Sequence, residues 1–515
     1  MSTHRAALLV TATLVCIVSP TRACDSLVTE STSQNYRPED DATRWGRALM
    51  HELRELHARD EKMPQQPWAE ETPPAAASLP DIAPEFVSAP WHGLYLATKG
   101  LGLCRQEKFE EAIRYLEQAV MFLLDSRTLK IELAMAYNAT GQEEAACRIY
   151  EELIGMNEGE ELATALQRGV TDQDALCNLA YTYTRCGRAD DAMACYRSVL
   201  THNPDDERAR LGMQFTEIKA GAWQYGWPEM PYEPPSGGRQ LACKEDVAGK
   251  RVLLDACHGG AGDIFQGVRF GQTLKKLDAQ EVILRVPGYL QRIMHGCVGI
   301  DKVCTLGDEP PEFDVCAPLL SLPRILELSP DEIPTQPYLH ADPVVVDEWR
   351  EKFTQDGAQK IGVCWLSGTA YHTPHLRAAA KMRTIGPQEL KSLQVKGATL
   401  YSLKQGTSPE ERAALPGVKT PEEKRRGFID ALGIIANMHK VITVDTSIAH
   451  LAAASGKEVL LLLPRQADCR WMEDQDGSEW QNRSPWYPTI RIFRQKPGEP
   501  DMCNAIKRAC EAASR

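Results

Sequence analysis

Asp445, Thr446, Ser447 and His450 stand together in VDTSIAHLAAASG, between the apolar runs VIT and VLLLLP. A helix opening just after Asp445 would aim free backbone N–H groups and its positive dipole end at an anion such as phosphate. His450 would then fall on the first turn. The same residues also fit a capping cluster with a satisfied core histidine. A second group, CHGGAGDIFQGVRF, follows an apolar run; Gly259, Gly260 and Gly262 allow close backbone approach to a ligand. Asp263 is either a carboxylate presented at the strand's carboxyl edge or a helix cap. The loop does not fit G-x-G-x-x-G, and EVILRVPG ends without an acidic residue for an adenosine ribose, which argues against a nicotinamide dehydrogenase.

Two further strand ends carry polar groups. KIGVCWLSGTAYH delivers Ser367, Gly368 and Thr369, followed by Arg377, Lys381 and Arg383, either a mobile basic loop that neutralises a diphosphate or a solvated basic face. YSLKQG brings Lys404 and Gln405 out of another strand. EDQD, residues 473–476, has the outline of a metal-binding DxD, but beside Gly477 it reads as a solvated turn.

The elements that must hold these groups alternate. RVLLDAC, EVILRV, KIGVCW, ATLYSL, KVITVD and EVLLLLP are strand-like runs separated by helix-length segments, the pattern of parallel βαβ units. The helical segment ADPVVVDEWREKF divides this part near residue 345. The economical arrangement is two doubly wound sheets with a cleft between them, over residues 249–345 and 346–515, ligands binding at the strands' carboxyl ends.

Upstream the period changes. Ala112, Ala146 and Ala192 each have a large residue four positions on (Leu116, Tyr150, Tyr196) and an aliphatic one eight on (Val120, Ile154, Leu200). The first step is 34 residues; the second is 46, one unit plus a 12-residue insertion at GMNEGEELATAL. Gly141 and Gly187 precede their alanines by five, where two helices need a tight turn, and Glu107 holds that place in the first unit. Residues 90–222 resemble a tetratricopeptide array, which implies a binding surface for a protein partner or simple packing within the chain. Residues 24–89 read as a Pro-rich linker with one helical patch near residues 45–59, and residues 223–248 as a second linker.

With 515 residues, 43% hydrophobic and 25% charged, the chain is long enough for several buried cores. A net charge of -13 argues against nucleic acid as a partner. Residues 1–23 have signal-peptide architecture, and no later stretch reaches the length of a membrane span. The 16 cysteines form neither CxxC pairs nor zinc-spaced clusters, and several, including Cys257 and Cys364, are expected in core strands as reduced thiols. The two signals point to different compartments, the cytoplasm by cysteine usage and the secretory pathway or periplasm by the leader.

HGGAGD, VCWLSG, YSLKQG, VDTSIAHLAAASG and SPWYPTIRIFRQ occur in an order that resembles the glycosyltransferase-B proteins of the ADP-heptose transferase-like group, glycosyltransferase family 9. Bacterial proteins joining tetratricopeptide repeats to such a domain resemble the whole layout, so the fold class expected is an all-α solenoid followed by two Rossmann-like domains. The resemblance implies inverting sugar transfer, without a metal or other cofactor, from a nucleotide diphosphate sugar to a hydroxyl on a protein or glycan acceptor. It matches Asp263 with the catalytic base. It places the donor at Asp445, Thr446, Ser447, His450, Ser367, Lys404, Gln405, Lys381 and Arg383, and the acceptor loop at Gly259, Gly260 and Gly262. Ser447 stands where many members have glycine. The alternative is a non-catalytic scaffold carrying a degenerate transferase domain.

Overall fold

The computed structural model describes residues 89–220, 232–353, 358–367, 381–404, 406–415, 417–421, 425–465, 467–472, 482–496, 499 and 501–515. The signal-like segment, the first linker, most of the second, Gly368, Thr369, Arg377, Gln405 and the EDQD stretch lie outside the described residues. The described chain divides into two compact units, residues 89–204 and residues from 205 onward.

The first unit is built of helix pairs: α1 (Ala89–Arg105) with α2 (Phe109–Phe122), α3 (Arg127–Ala139) with α4 (Glu143–Leu153), and α6 (Gln173–Arg185) with α7 (Ala189–His202). Ser126 and Asp172 cap the first helices of their pairs by accepting from Leu129 N and Ala175 N, satisfying donors that a helix start leaves open. Ala112, Ala146 and Ala192 are fully buried, and Leu116, Tyr150 and Tyr196 are buried beside them. The small side chain lets the paired helices approach while the large one fills the space between them. Gly141 (φ 77°) and Gly187 (φ 79°) make the turns in the left-handed region. Glu107 makes the same turn at φ 61°, an uncommon conformation for a side-chain-bearing residue. The insertion after α4 forms a short helix of its own, α5 (Leu162–Gln167).

The second unit opens with α8 (Glu207–Lys219), capped by Asp206, and contains two parallel sheets. The first has the order β3-β2-β1-β4, from β1 (Arg251–Asp255), β2 (Glu281–Val286), β3 (Lys302–Thr305) and β4 (Val315–Pro318). The second has the order β10-β9-β8-β5-β6-β7, from β5 (Gln359–Cys364), β6 (Ala398–Ser402), β7 (Val418–Lys419), β8 (Lys440–Val444), β9 (Glu458–Leu463) and β10 (Ile490–Arg494). All paired strands are parallel. Helix pairs followed by two Rossmann-ordered sheets form the expected architecture, an all-α solenoid followed by two Rossmann-like domains.

The six apolar runs are all strands. β3, β4, β7 and β10 are additional; the first three are too short to show a period, and β10 alternates an exposed Arg491 with buried Ile490 and Ile492. Cys364 lies in β5 as expected, whereas Cys257 lies in the loop after β1, two residues beyond the strand's last pairing. One continuous apolar core spans both halves of this unit, running from Leu254 and Phe265 through Trp349 to Ile434, Ala449, Trp471 and Ile492.

Candidate active site

Both candidate loops emerge where the strand order reverses. β1 leaves its sheet between β2 and β4, and β8 leaves its sheet between β9 and β5. At such a switch point the connections on either side run to opposite faces, so the strand ends are left open to a ligand.

After β1 the chain turns through Gly259, at φ 91°, and enters α9 (Ala261–Gly267) with Gly260 as its cap residue. A Cβ on Gly259 would come within 2.7 Å of Asp263 Cβ, so the turn that presents Asp263 has room for glycine alone. Asp263 Oδ2 accepts from Gly260 N at 2.7 Å, and Oδ1 receives Arg470 Nη1 at 2.6 Å. Asp263 is buried, the whole residue 8% exposed. Burial raises its pKa above the ordinary aspartate value, although Arg470 and the Gly260 N–H oppose that rise.

After β8, buried Asp445 is followed by Thr446 in extended conformation and α14 (Ser447–Ala454). Thr446 makes no side-chain cap bond, unlike Ser126 or Asp172. Ala449, Ala452 and Ala454 are fully buried, and their small side chains let α14 lie close to β8 and β9. Arg383 reaches Asp445 at 3.2 Å. It is brought there because residues 381–385 are laid along the exit of β5: Ile385 N donates to Trp365 O at 2.9 Å, and Ser367 N to Thr384 Oγ1 at 3.1 Å. Lys381 ends on the exposed side of the same turn. Lys404 is held by Glu411, whose other oxygen accepts from Trp365 Nε1 at 2.8 Å.

His450 is placed differently from the expectation of a donor ligand. It is 2% exposed, stacks on Trp471 (ring centroids 5.2 Å apart, 25° between planes) and shares a hydrogen bond with the Tyr487 hydroxyl at 3.1 Å. Burial, aided by the nearby Arg470 and Arg269, pushes its pKa well below the usual histidine range, so the ring is neutral. A Cβ on Gly262 would stand 3.0 Å from His450 Cδ2 and 3.5 Å from Ser447 Cα. Where a cleft is expected between the halves, the first turns of α9 and α14 therefore touch. The missing side chain of Gly262 permits that approach.

The groups that join the two loops, Arg470 and Arg269, lie outside the residues singled out by sequence. Arg470 sits in a 3-10 turn, Cys469–Trp471, capped by Asp468. Its Nε donates to Asp468 Oδ1 at 3.0 Å and its Nη1 to Gln266 Oε1 at 2.9 Å, and its carbonyl accepts from Trp486 Nε1 at 3.0 Å. Arg269, fully buried, donates to Gln266 O, Pro334 O, Trp486 O and the Tyr338 hydroxyl, and its guanidinium lies 4.2 Å from the centre of the Tyr487 ring. A basic residue inside the apolar run QGVRFG was the available signal for Arg269, and arginine beside tryptophan in CRW for Arg470. Among the described residues no three His, Cys, Asp or Glu side chains group as metal ligands would, and no helix is long and apolar enough to cross a membrane.

A tetratricopeptide repeat model matches residues 173–206, the stretch that contains α6 and α7. No curated protein matches the chain. Among solved structures, the glycosyl transferase family 9 protein of Veillonella parvula is similar at 11% identity over 52% of this chain and 97% of its own, with a TM-score of 0.37. The ADP-heptose lipopolysaccharide heptosyltransferase II of E. coli is similar at 13% identity over 51% of this chain and 98% of its own, with a TM-score of 0.34. A mutant O-GlcNAc transferase of Thermobaculum terrenum is similar at 13% identity over 83% of this chain and 94% of its own, with a TM-score of 0.24.

Proposed function

We propose that this protein is a glycosyltransferase that moves a sugar from a nucleotide diphosphate sugar to an acceptor hydroxyl with inversion and without a metal, its repeats recruiting the acceptor or a partner. The observation that carries the reading is the meeting of two switch-point loops, one bearing Asp263 and the other Asp445 and the start of α14. Asp263 takes the acceptor proton as that oxygen bonds the anomeric carbon from one face and the bond to the diphosphate breaks on the other. Asp445 holds sugar hydroxyls. Thr446, Ser447 and the α14 N-terminus receive the diphosphate, whose charge grows in the transition state, so preorganised N–H donors favour that state over the bound substrate. Arg383 supplies the cation, released from Asp445 toward the phosphate when donor enters. His450 keeps the two loops in register.

One observation favours a degenerate, scaffold-like domain: both oxygens of Asp263 already have partners. Turnover separates the two readings. The purified protein, offered ADP-, GDP-, UDP- and dTDP-sugars, should release nucleotide diphosphate from at least one, equally with EDTA present. Asp263→Asn should lower that rate by about a hundredfold or more while leaving Tm within a few degrees. Failure to consume any donor supports the scaffold; strict Mn²⁺ or Mg²⁺ dependence removes the metal-free mechanism.

A further inference from the structure

Among the described residues, Arg470 bonds both to the proposed base and to a second carboxylate in the proposed donor half. Its Nη1 lies 2.6 Å from Asp263 Oδ1, on α9 of the first sheet's side, and its Nε 3.0 Å from Asp468 Oδ1, on the turn that follows β9. The turn is fixed at both ends: Asp468 Oδ1 accepts from Arg470 N at 3.0 Å, and the Arg470 carbonyl accepts from Trp486. α8 packs against the same turn. The side chains of Arg470, Asp263 and Asp468 are 12%, 11% and 5% exposed, so their charges act on one another with little screening by water.

We propose that Arg470 is a positioning residue for sugar transfer, reaching from the donor half to aim the Asp263 carboxylate, so that the base is set only while the Cys469–Trp471 turn is docked. The inference rests on the transferase reading above. A guanidinium offers planar paired donors, and a carboxylate held by one of them and by a backbone N–H on its other oxygen has its plane determined. Asp468 has a purpose in this arrangement. Bonded to Arg470 alone, Asp263 would face an undivided positive charge; sharing that charge with Asp468 leaves the trio with one net negative charge and a carboxylate still able to take a proton. The other titratable groups facing Asp263 are Tyr289, whose phenol is raised by burial and then by the Asp263 charge, and His450, which packs against Gly262 in its neutral form. Asp445 and Arg383 lie beyond Arg470 as their own pair.

A purely structural arginine and a positioning one differ in what they do to the base. The experiment measures the pH profile of kcat/KM and the donor KM for the full chain, Arg470→Gln, Arg470→Lys and Asp468→Asn, using whichever nucleotide sugar of the panel the wild type hydrolyses. Arg470→Gln should lower kcat by about tenfold or more, leave donor KM within about twofold, and move the acid limb up by about one pH unit, since a cation that holds the carboxylate ionised is gone. Arg470→Lys should recover part of both losses. Asp468→Asn should move the acid limb the opposite way, because Arg470 then serves Asp263 alone, and it keeps the proposal testable if the Arg470 variants do not fold. An unchanged acid limb in Arg470→Gln, or shifts of the same sign in Arg470→Gln and Asp468→Asn, would overturn the proposal. A wild type that consumes no donor fails earlier and takes the transferase reading with it.

Discussion

At the scale of single residues, burial sets which groups can ionise. His450 illustrates this outside the proposed chemistry. Its folded pKa is depressed below the ordinary 6.5, chiefly by burial. As pH falls through that ordinary value the unfolded chain takes up the proton and the folded one does not, so stability is full above it and is lost as pH falls toward the depressed folded value. The slope is at most about 1.4 kcal/mol per pH unit. We expect Tm of the wild type to fall more steeply between about pH 7 and pH 5.5 than Tm of His450→Gln; parallel curves in differential scanning fluorimetry would remove His450 as the cause. Asp263 shifts in the other direction, upward by burial, which suits a group that must accept a proton near neutrality.

At the scale of elements, turns and tight helix contacts decide local stability. Gly141 and Gly187 adopt positive φ where the repeat requires it, and Glu107 adopts it at a steric penalty that glycine would not have. Glu107→Gly should therefore stabilise the α1–α2 pair, by about 1 kcal/mol after glycine's own entropy loss is counted. Chemical denaturation of the wild type and this variant would show it, and a lower midpoint in the variant would refute it.

At the scale of the whole molecule, α8 follows the repeats in sequence but belongs with the sheets. Leu211, Phe215 and Ile218 are buried, and the helix packs on the turn that carries Arg470. A chain cut before residue 205 should keep donor hydrolysis, and if the repeats recruit the acceptor, its KM should rise about tenfold or more through lost effective concentration. A chain cut before residue 232 lacks α8 and should lose thermal stability and donor hydrolysis together. Equal behaviour of the two truncations would show that α8 does nothing for the site, and an unchanged acceptor KM would separate the repeats from acceptor binding.

Periodic features were legible in the residues themselves. The alanines at a helical-hairpin spacing, the turn glycines and the six β-branched runs each express a local rule, a helix pair needing a small contact residue or a buried parallel strand needing apolar side chains on both faces. Their order yielded both the solenoid and the paired sheets, and it directed attention to Asp263 and Asp445. The partners of those two carboxylates were not legible. Arg470 lies 207 positions from Asp263 and Arg383 lies 62 from Asp445, in short segments without a period, and no local preference tells an arginine which distant carboxylate it will meet. His450 shows the same limit from the other side: one motif allowed a ligand or a core residue, and only the packing of α9 on α14 through Gly262, with Trp471 and Tyr487 closing over the ring, placed it in the core. Strand and helix identity follow from neighbours in the chain, whereas the pairing of buried charges follows from which switch-point loops the folded sheets bring face to face.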